Sequence, residues 1–337
     1  MKDIRNFDLS AYNTFGINVH CNRFVEYDNI EELQGLVRSF AATDFPLLLL
    51  GGGSNLLFTD DFRGTVLHSA IKGIEVQDDG EYILVKVGSG EVWDDFVSLC
   101  ITNGWYGAEN LSHIPGEVGA SAVQNIGAYG AEAKDIIYNV EAVGIATGEL
   151  AEFSNEDCGY AYRHSKFKAE WRGKYIITHV TYRLAKQFIP CLEYGNLRSE
   201  LNERGMVNPT AAQVRSVIID IRNAKLPDPN VTGNAGSFFM NPIIGKDKFV
   251  ELLKANPGMP HFIVDATHVK IPAGWLIEKC GWKGKSLGHA GVHPKQALVL
   301  VNLGAASGKE IVRLCKAIQE DVANKFGIPL VPEVNIL

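Results

Sequence analysis

Nowhere in this chain do 18 apolar residues run without interruption, and the N-terminal MKDIRNFDLSAYNTFG lacks an apolar core of signal-peptide length. Both absences argue against membrane insertion and secretion, so a soluble, cytoplasmic protein is expected. Cationic surplus is missing too: 32 Lys+Arg stand against 39 Asp+Glu, a formal net charge of −7, and no tail concentrates either sign. Nucleic-acid affinity driven by phosphate attraction is thereby excluded, and any phosphate must be held by a local cluster. The six cysteines (Cys21, Cys100, Cys158, Cys191, Cys280, Cys315) form no CxxC pair and have no histidine at ligand spacing. They indicate neither a metal site nor a disulfide framework, and buried, reduced thiols are expected. Cys280, beside Gly281 and Trp282, is the one to watch. Internal repeats and low-complexity segments are also absent.

What remains is ordinary globular composition: 337 residues, 46% hydrophobic, 21% charged, 9% aromatic. That length suggests two or three domains and room for a ligand cleft between them. Asn29-Ile-Glu-Glu32 opens a segment with Ile30, Leu33, Leu36, Val37 and Phe40 at helical spacing, behind an N-cap and a capping-box glutamate. FPLLLL (45–50) reads as a buried strand feeding a tight loop. Further strands are expected at 66–69, 83–87 and 175–184, and helices at 92–103, 211–224 (capped by Thr210) and after the box Ser307-Gly-Lys-Glu310, ending at Gly327. Interleaved strands and helices make the class α+β or mixed α/β.

Two glycine-rich stretches carry the chemistry. GGGSN (51–55) follows the apolar strand; glycines let backbone N–H groups converge on an anion, and Ser54 and Asn55 add side-chain donors. No GK[ST] follows it and it is not GxGxxG, so taken alone it is a turn as readily as a phosphate site. The second stretch, GAENLSHIPGEVGASAVQNIGAYGAE (107–132), sets glycines among Ser112, Ser121, Gln124 and Asn125 with almost no charge between Glu117 and Glu132. So long a weakly periodic segment is either a structural loop or the wrapping of a large ligand. A dinucleotide with a fused aromatic ring, held by backbone amides, fits the second reading.

At these stretches the chain resembles the UDP-N-acetylenolpyruvoylglucosamine reductases (MurB), in their longer subclass with a tyrosine loop. The likeness continues through NTFGI (13–17), LLGGGSNLLF (49–58), YRHSKFK (162–168), EYGNL (193–197), KLPDP (225–229), GNAGSFFMNP (233–242), PAGWLIE (272–278) and PEV (332–334). It implies an α+β chain with a two-lobed, vanillyl-alcohol-oxidase-type (PCMH) FAD-binding fold, the lobes spanning 1–70 and 71–200. An α/β substrate-binding domain would span 201–325, and 326–337 would return to the active site. FAD would lie with its pyrophosphate on Gly51, Gly52, Gly53, Ser54, Asn55 and Leu56. Along the rest of the cofactor the resemblance places Ser112, Ile114, Pro115, Gly116, Gly119, Ala120, Gln124, Asn125 and Gly127. No metal is implied.

The implied reaction reduces the enolpyruvyl ether of UDP-N-acetylglucosamine-enolpyruvate to the lactyl ether of UDP-N-acetylmuramate, a step of peptidoglycan precursor synthesis. NADPH reduces FAD and leaves, and the sugar nucleotide takes its place, a ping-pong scheme. Both partners are small molecules, and no obligate protein partner is evident. An electron-rich enol ether accepts hydride only if charge flows into its carboxylate. Arg163 suits that task, being permanently charged and able to donate a forked pair of hydrogen bonds. Glu333 can join it only when protonated, since two carboxylates side by side repel. Ser237 is the proton donor by the same resemblance, with Gly236 giving the backbone room and Phe238 and Phe239 excluding water. A hydroxyl is a weak acid and suffices only because positioning replaces acidity.

Tyr129, Tyr194, Lys225, Asn241, Lys270 and Gln296 match positions near the sugar nucleotide. Two departures stand out: Asn335 occupies a site that is often arginine, removing one anchor for substrate, and Glu117 replaces a commoner threonine. A carboxylate facing the pyrophosphate would repel it, so the Glu117 side chain is expected to point away. Rival readings are an FAD-dependent sugar or alcohol oxidase of the same cofactor fold, a flavin-free nucleotide-binding module and a hydrolase built on Ser237. GNAGSFF is not a GxSxG elbow, and an oxidase has no carbanion to protonate.

Overall fold

The structure is a computed structural model describing residues 1–337. Packing divides the chain into two units, one made of 1–7, 21–52 and 63–224 and the other of 8–20, 53–62 and 225–337.

The first unit holds two large sheets and the two-stranded hairpin of Gly127–Ala128 with Ala131–Glu132. One runs, in spatial order, Lys2–Asp8, His20–Tyr27, Phe62–Ser69 and Leu47–Leu50, with the last two parallel. α1 (Ile30–Arg38) begins at the expected cap: Asn29 Oδ1 accepts the Glu32 N–H at 2.9 Å. The Glu32 carboxylate reaches back to the N–H of Asp28 at 3.0 Å, so the reciprocal bond closes one residue earlier than a standard box. Leu33, Leu36 and Val37 then bury against Val25, Tyr27 and Leu67. Of the apolar run 45–50 only Leu47–Leu50 is strand; it lies at the sheet edge, and Leu49 is 41% exposed. An edge strand is covered on fewer sides, so four leucines in a row did not mean full burial.

The other sheet is antiparallel, ordered Leu150–Ser154, Ile137–Gly144, Tyr175–Ala185, Tyr82–Gly88, Ile74–Asp78. α2 (Trp93–Thr102) and α3 (Val118–Gln124) share its core, where the rings of Trp93, Phe96 and Tyr182 meet at centroid separations of 4.8 to 5.7 Å. α4 (Leu197–Glu203) and α5 (Ala211–Lys225) close a smaller cluster with Leu192, and Thr210 and Gln213 exchange capping bonds at the start of α5.

In the second unit the strands Asn234–Ser237, Val299–Asn302, Ala290–Val292 and Ser286–Leu287 form an antiparallel sheet. α6 (Lys246–Ala255) and α7 (Ala273–Lys279) precede α8 (Gly308–Phe326), which packs on the two middle strands. The Ser307–Glu310 capping box starts α8, and Gly327, at φ +66°, ends it as expected. Four of the thiols are buried, whereas Cys191 is exposed and Cys280 half-buried, which corrects the expectation for those two. Burial pushes the Cys280 thiol up, away from the reactive thiolate. No helix is long and apolar enough to cross a membrane.

Candidate active site

Ser237 owes its place to a bulge. Asn234 pairs with Val301 and Ser237 with Val299, leaving an extra residue between them, and Gly236 takes φ +66° with its N–H bonded to Asn234 Oδ1 at 2.9 Å. A Cβ on Gly236 would meet nothing within 4 Å, so glycine is required here for its backbone angle and not for room. The bulge turns Ser237 outward and the next residues inward. Ser237 is exposed, while Phe238 and Phe239 are 0% and 1% exposed; Phe238 lies edge-on to Phe15 at 6.2 Å. The two rings therefore anchor the strand, at about 1.5 to 3 kcal/mol each, and do not cover the hydroxyl as expected from their position beside it.

The C-terminal segment runs alongside. Glu333 N–H donates to Phe238 O at 2.8 Å and Met240 N–H to Val331 O at 2.9 Å, which sets Glu333 on the strand neighbouring Ser237. Further on, Asn335 donates from both its backbone N–H and Nδ2 to Asn55 O at 3.2 and 3.0 Å, and Asn335–Ile336 pairs with Leu56–Leu57. The departure from arginine thus ties the tail to the GGGSN loop. Asn241 Oδ1 accepts the Ala273 N–H at 2.9 Å at the start of α7, and Gln296 Oε1 would lie 3.1 Å from a Cβ on Gly274. Lys270 follows on the strand His268–Lys270, two residues before Pro272. These three surround one end of α7, whereas Lys225 sits exposed at the end of α5.

In the first unit, Arg163 takes φ +54° in a tight turn closed by the Ala161–His164 bridge, and its Nη2 donates to Gly127 O at 2.8 Å. A Cβ on Gly127 would come within 3.0 Å of Nη1, so this glycine makes room for the guanidinium. Burial raises the phenol pKa of both Tyr129 and Tyr194; Arg222 draws the first back down and Arg163 the second. The structure thus groups Arg163, Tyr129 and Tyr194, and adds Arg222, which the sequence reading missed. Arg222 projects from α5, its Nε donating to His113 O at 3.1 Å. Asn110, also missed, donates from Nδ2 to Tyr129 O and Cys191 O, both at 2.8 Å, and so fastens the loop of Tyr194 to that of Tyr129. Only its place one residue after Glu109 in a glycine-rich stretch could have hinted at this.

The glycine loops divide by what their missing side chains admit. A Cβ on Gly52 would lie 3.4 Å from Gly116 Cα, bringing the two loops together backbone to backbone, the form of a cradle for a dinucleotide. Gly53, at φ +63°, is needed for another reason: its Cβ would sit 2.0 Å from Tyr12 O. Gly119 accommodates Ser89. Ser112 is fully buried and donates to Glu109 O at 2.6 Å, and Asn125 spends its amide on Glu132, Ala161 and Lys134. Ile114 packs on the core, and Leu56 is buried in its short strand. Pro115 and Ala120 are exposed, and Ser54 and Gln124 half-buried. Glu117 corrects an expectation: its Oε2 lies 3.1 Å from where a Gly51 Cβ would be, so it points at the loop. Burial pushes its carboxyl up to about 8, leaving it largely uncharged at neutral pH. A cradle lined by glycine backbone and a neutral acid fits a flavin dinucleotide.

Comparison with known proteins bears on this arrangement. Residues 22–154 match the family model of an FAD binding domain, and 228–337 that of the UDP-N-acetylenolpyruvoylglucosamine reductase C-terminal domain. The UDP-N-acetylenolpyruvoylglucosamine reductase of Bacteroides fragilis is 52% identical over 334 residues, covering 99% of both chains, and that of Porphyromonas gingivalis 47% over 337 residues, also 99% of each. The crystal structure of the Thermus caldophilus enzyme (MurB) superposes with a TM-score of 0.68 at 24% identity, over 99% of this chain and 98% of that one. The fold is thus α+β, a two-lobed, vanillyl-alcohol-oxidase-type FAD-binding fold followed by a substrate-binding domain, and the class is that of FAD-dependent oxidoreductases. The chain belongs to the UDP-N-acetylenolpyruvoylglucosamine reductases, flavin enzymes of UDP-N-acetylmuramate synthesis.

Proposed function

We propose that the chain catalyses NADPH-dependent reduction of the enolpyruvyl ether of UDP-N-acetylglucosamine-enolpyruvate, with Ser237, Arg163 and Glu333 as its catalytic residues. Bound FAD supplies a two-electron relay from NADPH to the enol ether. Gly51, Gly52 and Gly116, with Ser54 and Asn55, hold its diphosphate. Arg163, fixed by Gly127, receives the carboxylate into which charge flows when the methylene carbon gains hydride. Glu333 shares that load from the strand beside Ser237. Ser237 Oγ then gives its proton to the carbon bearing the ether oxygen and is reprotonated from water. Tyr129 and Tyr194 with Arg222, and separately Lys225, Asn241, Lys270 and Gln296, bind the sugar nucleotide.

The observation that carries this reading is the bulge at Gly236, which turns a hydroxyl outward one residue from the Phe238–Glu333 backbone bond. Stopped-flow spectroscopy of Ser237→Ala tests it. Flavin reduction by NADPH should proceed at the native rate, while reoxidation by the sugar nucleotide slows at least a hundredfold, in the range general acids contribute. Equal loss of both half-reactions would falsify the assignment of the proton donor.

A further inference from the structure

Beneath the glycine loop lies a carboxyl–imidazole cluster to which the mechanism gives no task. Glu117 precedes α3 and aims its carboxyl at Gly51. His68, on the strand Phe62–Ser69, sets its Nε2 3.8 Å from Glu117 Oε1 and 3.7 Å from Glu26 Oε2. Its Nδ1 is 2.9 Å from Leu50 O, the last residue before the loop. A carbonyl only accepts, so Nδ1 carries the hydrogen and Nε2 is the atom turned toward the two acids. The groups facing Glu117 are therefore His68, Glu26 and the buried Tyr27 phenol from the sheet, and Lys72 beyond its strand end. Burial penalises the carboxylate most; Lys72 favours it and Glu26 opposes it.

We propose that Glu117 is a cofactor-holding residue used in its un-ionised form, so that the proton on its carboxyl decides how firmly the diphosphate of FAD is held at Gly51 and Gly52. This rests on the reading of that loop as the diphosphate cradle. A neutral acid beside the loop adds no charge. Its carboxylate would stand next to a phosphate pair of the same sign in a site with little water to screen it, and one such contact weakens binding on the order of tenfold or more. His68, itself fixed to Leu50, keeps the acid turned toward the loop, and Glu26 helps to keep the proton on it. Because burial places the transition near pH 8, the effect falls inside a pH span that a binding titration can cover.

The test uses purified holoenzyme. It is equilibrated at low concentration in buffers between about pH 6.5 and pH 9.5, and free FAD is read from its fluorescence, with no substrate present. The dissociation constant of the native chain should rise on the order of tenfold across that span. Glu117→Gln should bind FAD as the native chain does at the acid end and lose the rise, and Glu117→Thr should do the same should the glutamine variant fold poorly. Glu26→Gln should keep the rise but move its midpoint to lower pH, a response that loss of packing alone would not give. A flat profile for the native chain, or an undiminished rise in both Glu117 variants, overturns the proposal and leaves the cradle standing. Absence of FAD at every pH overturns the cradle as well.

Discussion

Two glycines in this chain, Gly53 and Gly236, use their missing side chains differently. Gly53 combines φ +63° with a crossing of the Tyr12 backbone, whose carbonyl oxygen would lie 2.0 Å from an added Cβ. Gly236 has nearly the same φ, +66°, but open space around it. Alanine at Gly236 should therefore cost only the backbone strain of the left-handed region, about 1 to 2 kcal/mol. Alanine at Gly53 must also push one chain segment off another, so a loss of about 3 kcal/mol or more, or failure to fold, is expected. Urea denaturation of the two variants decides this. Equal costs would mean that the Tyr12 backbone gives way to a side chain at Gly53 without resistance. Ser237 belongs to the same scale: its hydroxyl is aimed by the neighbouring glycine's angle, which a sequence displays as a letter but not as a direction.

At the scale of elements, what was legible followed short-range rules. The caps at Asn29, Thr210 and Ser307 and the stop at Gly327 lie where side-chain chemistry and periodicity place them, because capping bonds span only three or four residues. What was not legible depended on partners remote in sequence. The leucines at 47–50 gave no sign that their strand is an edge, and the glycine motif gave no sign that Asn110 would bridge to Cys191, 81 positions away. That bridge makes a prediction about the two tyrosine-bearing loops. Asn110→Leu keeps the branched side-chain outline and removes both hydrogen bonds, each worth about 1 kcal/mol. KM for the sugar nucleotide should rise about tenfold, while flavin reduction by NADPH stays at its native rate. Slowing of both half-reactions would assign Asn110 to the general fold, and an unchanged KM would remove it from loop positioning.

At the scale of the whole molecule, the motifs announced a flavin reductase while composition alone announced only a globular acidic chain, since charge totals say nothing of which acids are buried. The buried ones set the response to pH. Glu109 and Glu117 both have carboxyls raised by burial, the latter to about 8, and His179 has its pKa lowered chiefly by burial. A raised carboxyl means that the folded chain binds the proton more tightly than the unfolded one. Its penalty is absent below the ordinary carboxyl range, grows as pH rises above it, and is complete once pH passes the folded value. The lowered histidine acts at the other end: stability is lost as pH falls below its ordinary value, because the unfolded chain takes up a proton that the folded chain refuses. Stability should therefore decline from about pH 6.5 toward pH 8, and Glu117→Gln should remove most of that decline. The variant should match the native chain near pH 4.5 and gain about 2 to 4 kcal/mol near pH 8.5. Thermal denaturation of both chains across that range, at one FAD concentration throughout, measures the difference, to which the weaker hold of the native chain on FAD at high pH also contributes. A gain of the same size at every pH would trace the effect to packing at Gly51 instead of to a proton.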